Sequence, residues 1–185
     1  MTHQEALTVL AAHRGDRIVL TTMGSVGIWP ALSDTPLDFA YLPSSMGQGV
    51  AVGLGLALAT GRDVVAITGD GSLLMNLGSL VTVANHPTNL TVVLIDNGLY
   101  EVTGGQDVVG ARRINYEHLA YAAGFDRVYI FADLEPWQKK AAEVLSGPGP
   151  TFLWLEVDGE RGHKTPSPPR PMAEQIQRLR VALAQ

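Results

Sequence analysis

Two apolar runs, Val64 to Thr68 and Leu90 to Ile95, each end in a short polar signature and enclose a segment of helical period. The first is followed by Gly69-Asp70-Gly71 and the second by Asp96-Asn97. Runs this apolar read as strands buried on both faces, the situation of a parallel sheet covered by helices. Parallel strands joined through a helix connect right-handedly, so their carboxyl ends lie side by side. The stretch from Gly69 to Asn97 therefore commits the chain to an α/β sheet. It also delivers Asp70 and Asn97, 27 positions apart, to one edge of that sheet.

A carboxylate, an amide oxygen and a nearby backbone carbonyl form a hard, oxygen-only set. That set suits Mg2+, which keeps room for waters and phosphate oxygens. Gly69 and Gly71 let the backbone approach a ligand closely, and the amides at the start of the following helix can meet negative charge. That helix is expected over Leu73 to Asn85, with Ser72 as its N-cap. Leu73, Leu74, Leu77, Leu80, Val81 and Ala84 would face inward, and His86-Pro87 would end it. A helix dipole contributes only ~0.3–1 kcal/mol, too little to hold a diphosphate, so the metal is the anchor. The unit reads as a site for a magnesium-held diphosphate.

The remaining elements agree with that frame. Thr2 to Ala12 reads as a helix with Ala6, Leu7, Val9 and Leu10 inside, and Arg17 to Thr22 as the first strand. Met23 to Gly27 is a small-residue loop at that strand's carboxyl end, where open α/β sheets bind ligands. Ile28 to Pro43 reads as irregular. Gln48 to Thr60 carries Gly49, Gly53 and Gly55, each costing a helix about 1 kcal/mol relative to alanine. Tight packing on the sheet and close approach to a ligand are both open as the reason. After the glycine-rich loop Asn97–Arg113 come a helix over Tyr116 to Ala123, a strand over Arg127 to Phe131, a helix over Glu135 to Leu145 and a strand over Thr151 to Val157. A proline-rich, exposed stretch at 162–171 precedes a helix from Met172 to Leu183, with Ile176, Leu179 and Leu183 on one side. The expectation is one domain over residues 1–185: α/β class, a three-layer α/β/α sandwich on a mostly parallel sheet.

Composition removes several classes. The net charge is −5, and no basic run marks a nucleic-acid surface. The absence of cysteine excludes disulfides and thiolate metal sites and fits a reducing cytoplasm. Neither a signal peptide nor a membrane span is expected, because the longest apolar stretch, Val50 to Ala59, is short and broken by glycine. Charged residues make up only 17% of the chain, which suits a partly covered surface.

Three stretches carry a family resemblance: SSMGQGVAVGLGLALA (44–59), ITGDGSLLMNLGSL (67–80) and NLTVVLIDNGLYEVTGGQ (89–106). Together they resemble the pyrophosphate-binding domain of thiamine-diphosphate enzymes. The run ending Thr103-Gly104-Gly105-Gln106 resembles the branch of sulfopyruvate decarboxylase β chains and phosphonopyruvate decarboxylases. The resemblance implies that Asp70 and Asn97 bind Mg2+ by side chain and Leu99 by its carbonyl. It places Gly69, Gly71 and Ser72 at the diphosphate, Met46 as the apolar prop under the cofactor, and backbone groups of Ser44 and Met46 at the aminopyrimidine. Relatives carry a Ser-Arg-Glu-Leu run in the first loop, where this chain has Met23-Gly24-Ser25-Val26-Gly27-Ile28. Gly24 and Ser25 remain diphosphate contacts by this resemblance, but the arginine is gone.

The same resemblance implies a partner. Such enzymes need a glutamate facing the pyrimidine ring, and it comes from a separate domain. An α subunit carrying that domain is expected, in an α2β2 or larger hetero-oligomer, with this chain inactive alone. The expected activity is decarboxylation of a small anionic 2-oxoacid, with 3-sulfopyruvate giving sulfoacetaldehyde and CO2. Phosphonopyruvate decarboxylation, a carboligase subunit and a non-catalytic nucleotide-binding subunit stay open. No catalytic residue is certain in the chain; Tyr100 and Gln106, with Glu101 and Thr103, are candidates to meet substrate. Arg112 and Arg113 are read first as solvated loop arginines and second as anion contacts. His3 and His13 read as surface residues, His86 and His118 as structural or surface, and His163 as a tail residue able to reach a site.

Overall fold

The computed structural model describes residues 1–162 and 166–184. In chain order the elements are α1 (His3–Ala12), β1 (Ile18–Thr21), α2 (Ser25–Ile28), a 3-10 turn (Trp29–Ala31), β2 (Asp38–Ala40), α3 (Gly49–Thr60), β3 (Val64–Gly69) and α4 (Asp70–Leu74). They continue with α5 (Ser79–Ala84), β4 (Leu90–Asp96), β5 (Leu99–Tyr100), a 3-10 turn (Glu101–Thr103) and β6 (Gln106–Asp107). The last are α6 (Tyr116–Ala123), β7 (Arg127–Phe131), α7 (Leu134–Ser146), β8 (Thr151–Glu156) and α8 (Met172–Leu183).

Six strands form one wholly parallel sheet in the order β2-β1-β3-β4-β8-β7. The apolar strand runs are buried on both faces as their composition requires. On one face Ile18, Leu20, Ala66, Val92, Leu94 and Phe152 pack under α3, α5, α6 and α8. On the other, Val19, Val65, Ile67, Val93 and Leu153 pack under α1 and α7, with Trp137 fully buried. The three-layer sandwich expected from the pattern is therefore present. Among the described residues no helix is long and apolar enough to cross a membrane.

Several local expectations fail. The small-residue loop after β1 includes the helical turn α2, and the proline-rich stretch beyond it holds an edge strand, β2, that pairs with β1. Asp38 pins that strand by accepting from the Trp29 indole at 2.9 Å and by an ion pair with the buried Arg14 at 3.2 Å. The helix expected over Leu73 to Asn85 is broken into α4 and α5. Asn76 sends its side-chain amide to the Gly47 carbonyl at 3.0 Å, and the chain between is closed by three-residue turns such as Ser79 N–H to Asn76 O. That break changes the helical phase, so Leu80 and Val83 are buried while Val81 is 51% exposed. Ser72 lies inside the first turn rather than capping it, and Gly69 takes the N-cap position. In α8, Leu179 is buried but Ile176 is 38% exposed; the polar Gln175 is buried instead, accepting from Ala40 N–H at 2.8 Å.

The glycines of α3 find two different environments. A Cβ on Gly53 would lie 2.7 Å from the Ala66 Cβ, and one on Gly49 would lie 2.7 Å from Thr22 Cγ2. Close approach to β3 and to Thr22, just past the end of β1, requires them. Gly55 has nothing within 4 Å, and no structural reason for it is visible.

Candidate functional site

The strand order reverses between β1 and β3, since the chain runs from β1 outward to β2 and then returns to β1's other side. Loops at such a point splay apart at the carboxyl edge and leave a crevice. The crevice is open to solvent, its empty volume about 420 Å³ with that open space included. Its walls come from the ends of β1 (Thr22 to Ser25), β3 (Gly69 to Ser72) and β4 (Ile95, Asn97 and Leu99 to Val102), with Met46 and His3 added from elsewhere.

Most residues named from sequence converge on this crevice. Gly24, Ser25, Met46, Gly69, Asp70, Gly71, Ser72, Asn97, Leu99 and Tyr100 all line it, and Glu101 does as well. Ser44 and Gln106 are not among its lining residues. Ser44 keeps an enclosed hydroxyl oxygen with no hydrogen-bond partner, whereas Gln106 is exposed and bonds Thr103. Arg112 and Arg113 lie outside it too. They line a separate groove that shares Asn97 and Leu99 with the crevice, and both are exposed. His86 and His13 are tied to helix carbonyls one turn back, and His118 is exposed. His163 falls outside the described residues. His3 overturns its expectation: it is half-buried in the crevice wall. Nothing in its local sequence signals this, because the approach of α1 to α2 is a tertiary event.

Adjacent strands set the central geometry. Gly69 pairs in register with Ile95, so Asp70 and Asn97 emerge beside one another. Asp70 is 2% exposed and accepts the Gly98 N–H on Oδ2 at 3.0 Å. Asn97 turns its Oδ1 to the Leu99 N–H at 2.9 Å, which folds the segment Asn97–Leu99 into a compact turn. Asp96 is held from behind by the Trp154 indole at 3.0 Å, and Trp154 in turn meets Tyr116 edge to face. Burial, and then the neighbouring Asp96 charge, push the Asp70 carboxyl up to about 7, although the amides of Gly71 and Gly98 favour its ionised form. Burial and the same two carboxylates raise the Tyr116 phenol as well.

Such an arrangement is costly without a counter-ion, because buried charge must be paired or neutralised. Described residues with cationic side chains do not reach the crevice wall, apart from the imidazole of His3. A divalent cation held by Asp70, Asn97 and a turn carbonyl relieves the repulsion, and the donor chemistry is that of Mg2+. The residues fit a metal–diphosphate group.

Backbone devices hold the walls. Gly47, at φ +85, donates its N–H to Ser72 Oγ at 2.9 Å and lies against Asn76, which ties the Met46 loop to α4. Met23 adopts φ +50, a left-handed conformation rare for a side-chain-bearing residue and typical of constrained sites. The Tyr100 ring lies against Gly71, where any Cβ would collide with it.

Comparisons with known proteins agree with this geometry. Residues 22–154 match the family described as thiamine pyrophosphate enzyme, C-terminal TPP binding domain. Phosphonopyruvate decarboxylase of Streptomyces viridochromogenes is 38% identical over 78% of this chain and 36% of its own length. Sulfopyruvate decarboxylase subunit beta of Methanothermobacter thermautotrophicus is 38% identical over 83% of this chain and 80% of its own length. The chain thus spans about a third of the first relative and four fifths of the second. The crystal structure of benzoylformate decarboxylase from Polynucleobacter necessarius superposes with a TM-score of 0.73 at 19% identity, over 88% of this chain and 34% of that one, which is a likeness of fold.

Proposed function

The chain belongs to the thiamine pyrophosphate enzymes and carries their C-terminal TPP-binding domain, and from that premise we propose that it is the diphosphate-binding subunit of a Mg2+-dependent 2-oxoacid decarboxylase. The observation that carries the proposal is the pairing of Asp70 and Asn97 at one sheet edge, with a buried carboxylate that calls for a cation. Asp70 and Asn97 would hold Mg2+ by side chain and Leu99 by its carbonyl. Gly24, Ser25, Gly69, Gly71 and Ser72 would meet the diphosphate. Ser72 already accepts the Gly47 N–H, so the proton of its hydroxyl is what it has left to offer an anion. Met46 would support the cofactor through apolar contact from the opposite wall, and Ser44 would turn its polar groups to the pyrimidine.

When bound, thiamine diphosphate supplies the group that stabilises the carbanion left as a 2-oxoacid loses CO2. The chain's own residues bind and orient that group and exclude water beneath it. The activating glutamate is assigned to a partner subunit. The relative from Methanothermobacter is itself named as a beta subunit, which supports a hetero-oligomer of α2β2 or larger type. For substrate we propose 3-sulfopyruvate, with 3-phosphonopyruvate as the alternative. Both relatives act on a pyruvate with an anionic 3-substituent according to their names. Since Arg112 and Arg113 stand outside the crevice, recognition of that anion falls to other groups, the partner's included.

Calorimetric titration with thiamine diphosphate and Mg2+, repeated on Asp70→Ala, tests the site. Saturable binding lost in the variant is expected; binding of adenine nucleotides with indifference to thiamine diphosphate would sink the reading. Incubating the reconstituted pair with 2-oxoacids and assaying CO2, aldehyde and hydroxyketone tests the reaction. Free aldehyde is expected, and a hydroxyketone as sole product would assign a carboligase instead.

A further inference from the structure

Ser25 opens α2 and is 3% exposed, and its Oγ stands 2.9 Å from Nε2 of His3, the first residue of α1. The two are 22 positions apart and meet because α1 packs against α2. Both line the crevice, and His3 also borders an adjoining chamber walled by Gly27, Ile28 and Val102. From Thr22 to Ile28 this loop has no arginine or lysine.

Two ionisable groups crowd Gly24. A Cβ placed on it would lie 3.1 Å from Glu101 Oε2 and 3.5 Å from the His3 ring. A carboxylate at that range opposes an anion bound to the loop. Among the described residues lining the crevice, the basic side chain able to oppose that repulsion is the His3 imidazole. A serine hydroxyl has one proton to donate and lone pairs to accept with. When that proton goes to an anion in the crevice, the imidazole N–H is placed to fill the accepting side.

We infer that His3 is a positioning residue for the diphosphate, and this rests on reading the crevice as a diphosphate site. Its Nε2–H donates to Ser25 Oγ, which turns the Ser25 proton into the crevice and offsets Glu101 beside Gly24. His3 thereby supplies from a neighbouring helix the basic side chain that the loop itself lacks.

The test is calorimetry on the chain with whatever subunit co-purifies, using Mg2+ with thiamine diphosphate and Mg2+ with inorganic pyrophosphate as probes. His3→Ala is expected to weaken both ligands about tenfold, the scale of a hydrogen bond serving a charged group. His3→Gln, which keeps an N–H donor, should recover most of that loss. In a Ser25→Ala background, His3→Ala should add little. Wild-type affinity in His3→Ala overturns the inference, as does a loss that adds in full to that of Ser25→Ala. A loss that His3→Gln does not recover assigns the residue to packing and overturns it too. Wild-type protein that binds neither probe fails the diphosphate reading itself, before any variant is compared.

Discussion

Asp70 Oδ2 accepts the backbone N–H of Gly98 at 3.0 Å, so the end of β3 is bonded to the turn that follows β4. Under the proposed function this carboxylate has two jobs: it fixes the turn carrying Asn97 and Leu99, and it would offer oxygen to the metal. If Asp70, Asn97 and Leu99 hold the metal as proposed, their turn is already fixed without it.

Replacing Asp70 with Asn separates these jobs. A carboxyl pushed up to about 7 holds its proton more tightly in the folded chain than at its ordinary value of 3.8. Metal-free stability therefore falls as pH climbs from about 4 to about 7. Asn removes the buried charge, so Asp70→Asn is expected to be more stable than wild type at pH 8 in chelator, by ~1 kcal/mol or more, and to lose Mg2+–thiamine diphosphate binding. Thermal melts at pH 5 and pH 8 check the sign; equal destabilisation at both would refute it.

Gly159 lies outside the crevice but packs against the turn that lines it. A Cβ there would sit 2.5 Å from the Asn97 carbonyl and 2.9 Å from Leu99 Cδ1. Gly159→Ala should displace the metal turn and weaken Mg2+-dependent cofactor binding at least tenfold, while the far-ultraviolet dichroism stays native. Unchanged affinity would show that the segment yields without moving the turn.

Gly71→Ala meets the Tyr100 ring and must expel it. The variant is expected to lose ~1–3 kcal/mol of stability, the usual cost of overpacking. Adding Tyr100→Ala should return part of it. Denaturant melts of the two variants measure this, and additive losses would contradict the contact.

Two glycines of α3 should respond with opposite sign. Gly53→Ala presses on Ala66 in β3 and should cost ~1–3 kcal/mol. Gly55→Ala meets nothing and should gain up to ~1 kcal/mol from helix propensity. Urea denaturation of both settles whether the sheet or a ligand governs this helix.

The sequence by itself determined the layers and the sheet edge at which Asp70 and Asn97 meet. Val64–Thr68 and Leu90–Ile95 are apolar enough that only a doubly covered parallel sheet buries them, and right-handed crossover then leaves Asp70 and Asn97 no choice of edge. Period and turn chemistry are local properties, legible without coordinates. Only the tertiary structure decided what reaches across. The His3 contact with Ser25, the support of Asn97 by Gly159, and the pull of Gly47 on Asn76 that splits a helix all join residues far apart in sequence. So does the placement of Arg112 and Arg113 outside the crevice. Local signals are silent on such pairs, because their energies exist only once the chain has folded and brought the partners within bonding distance.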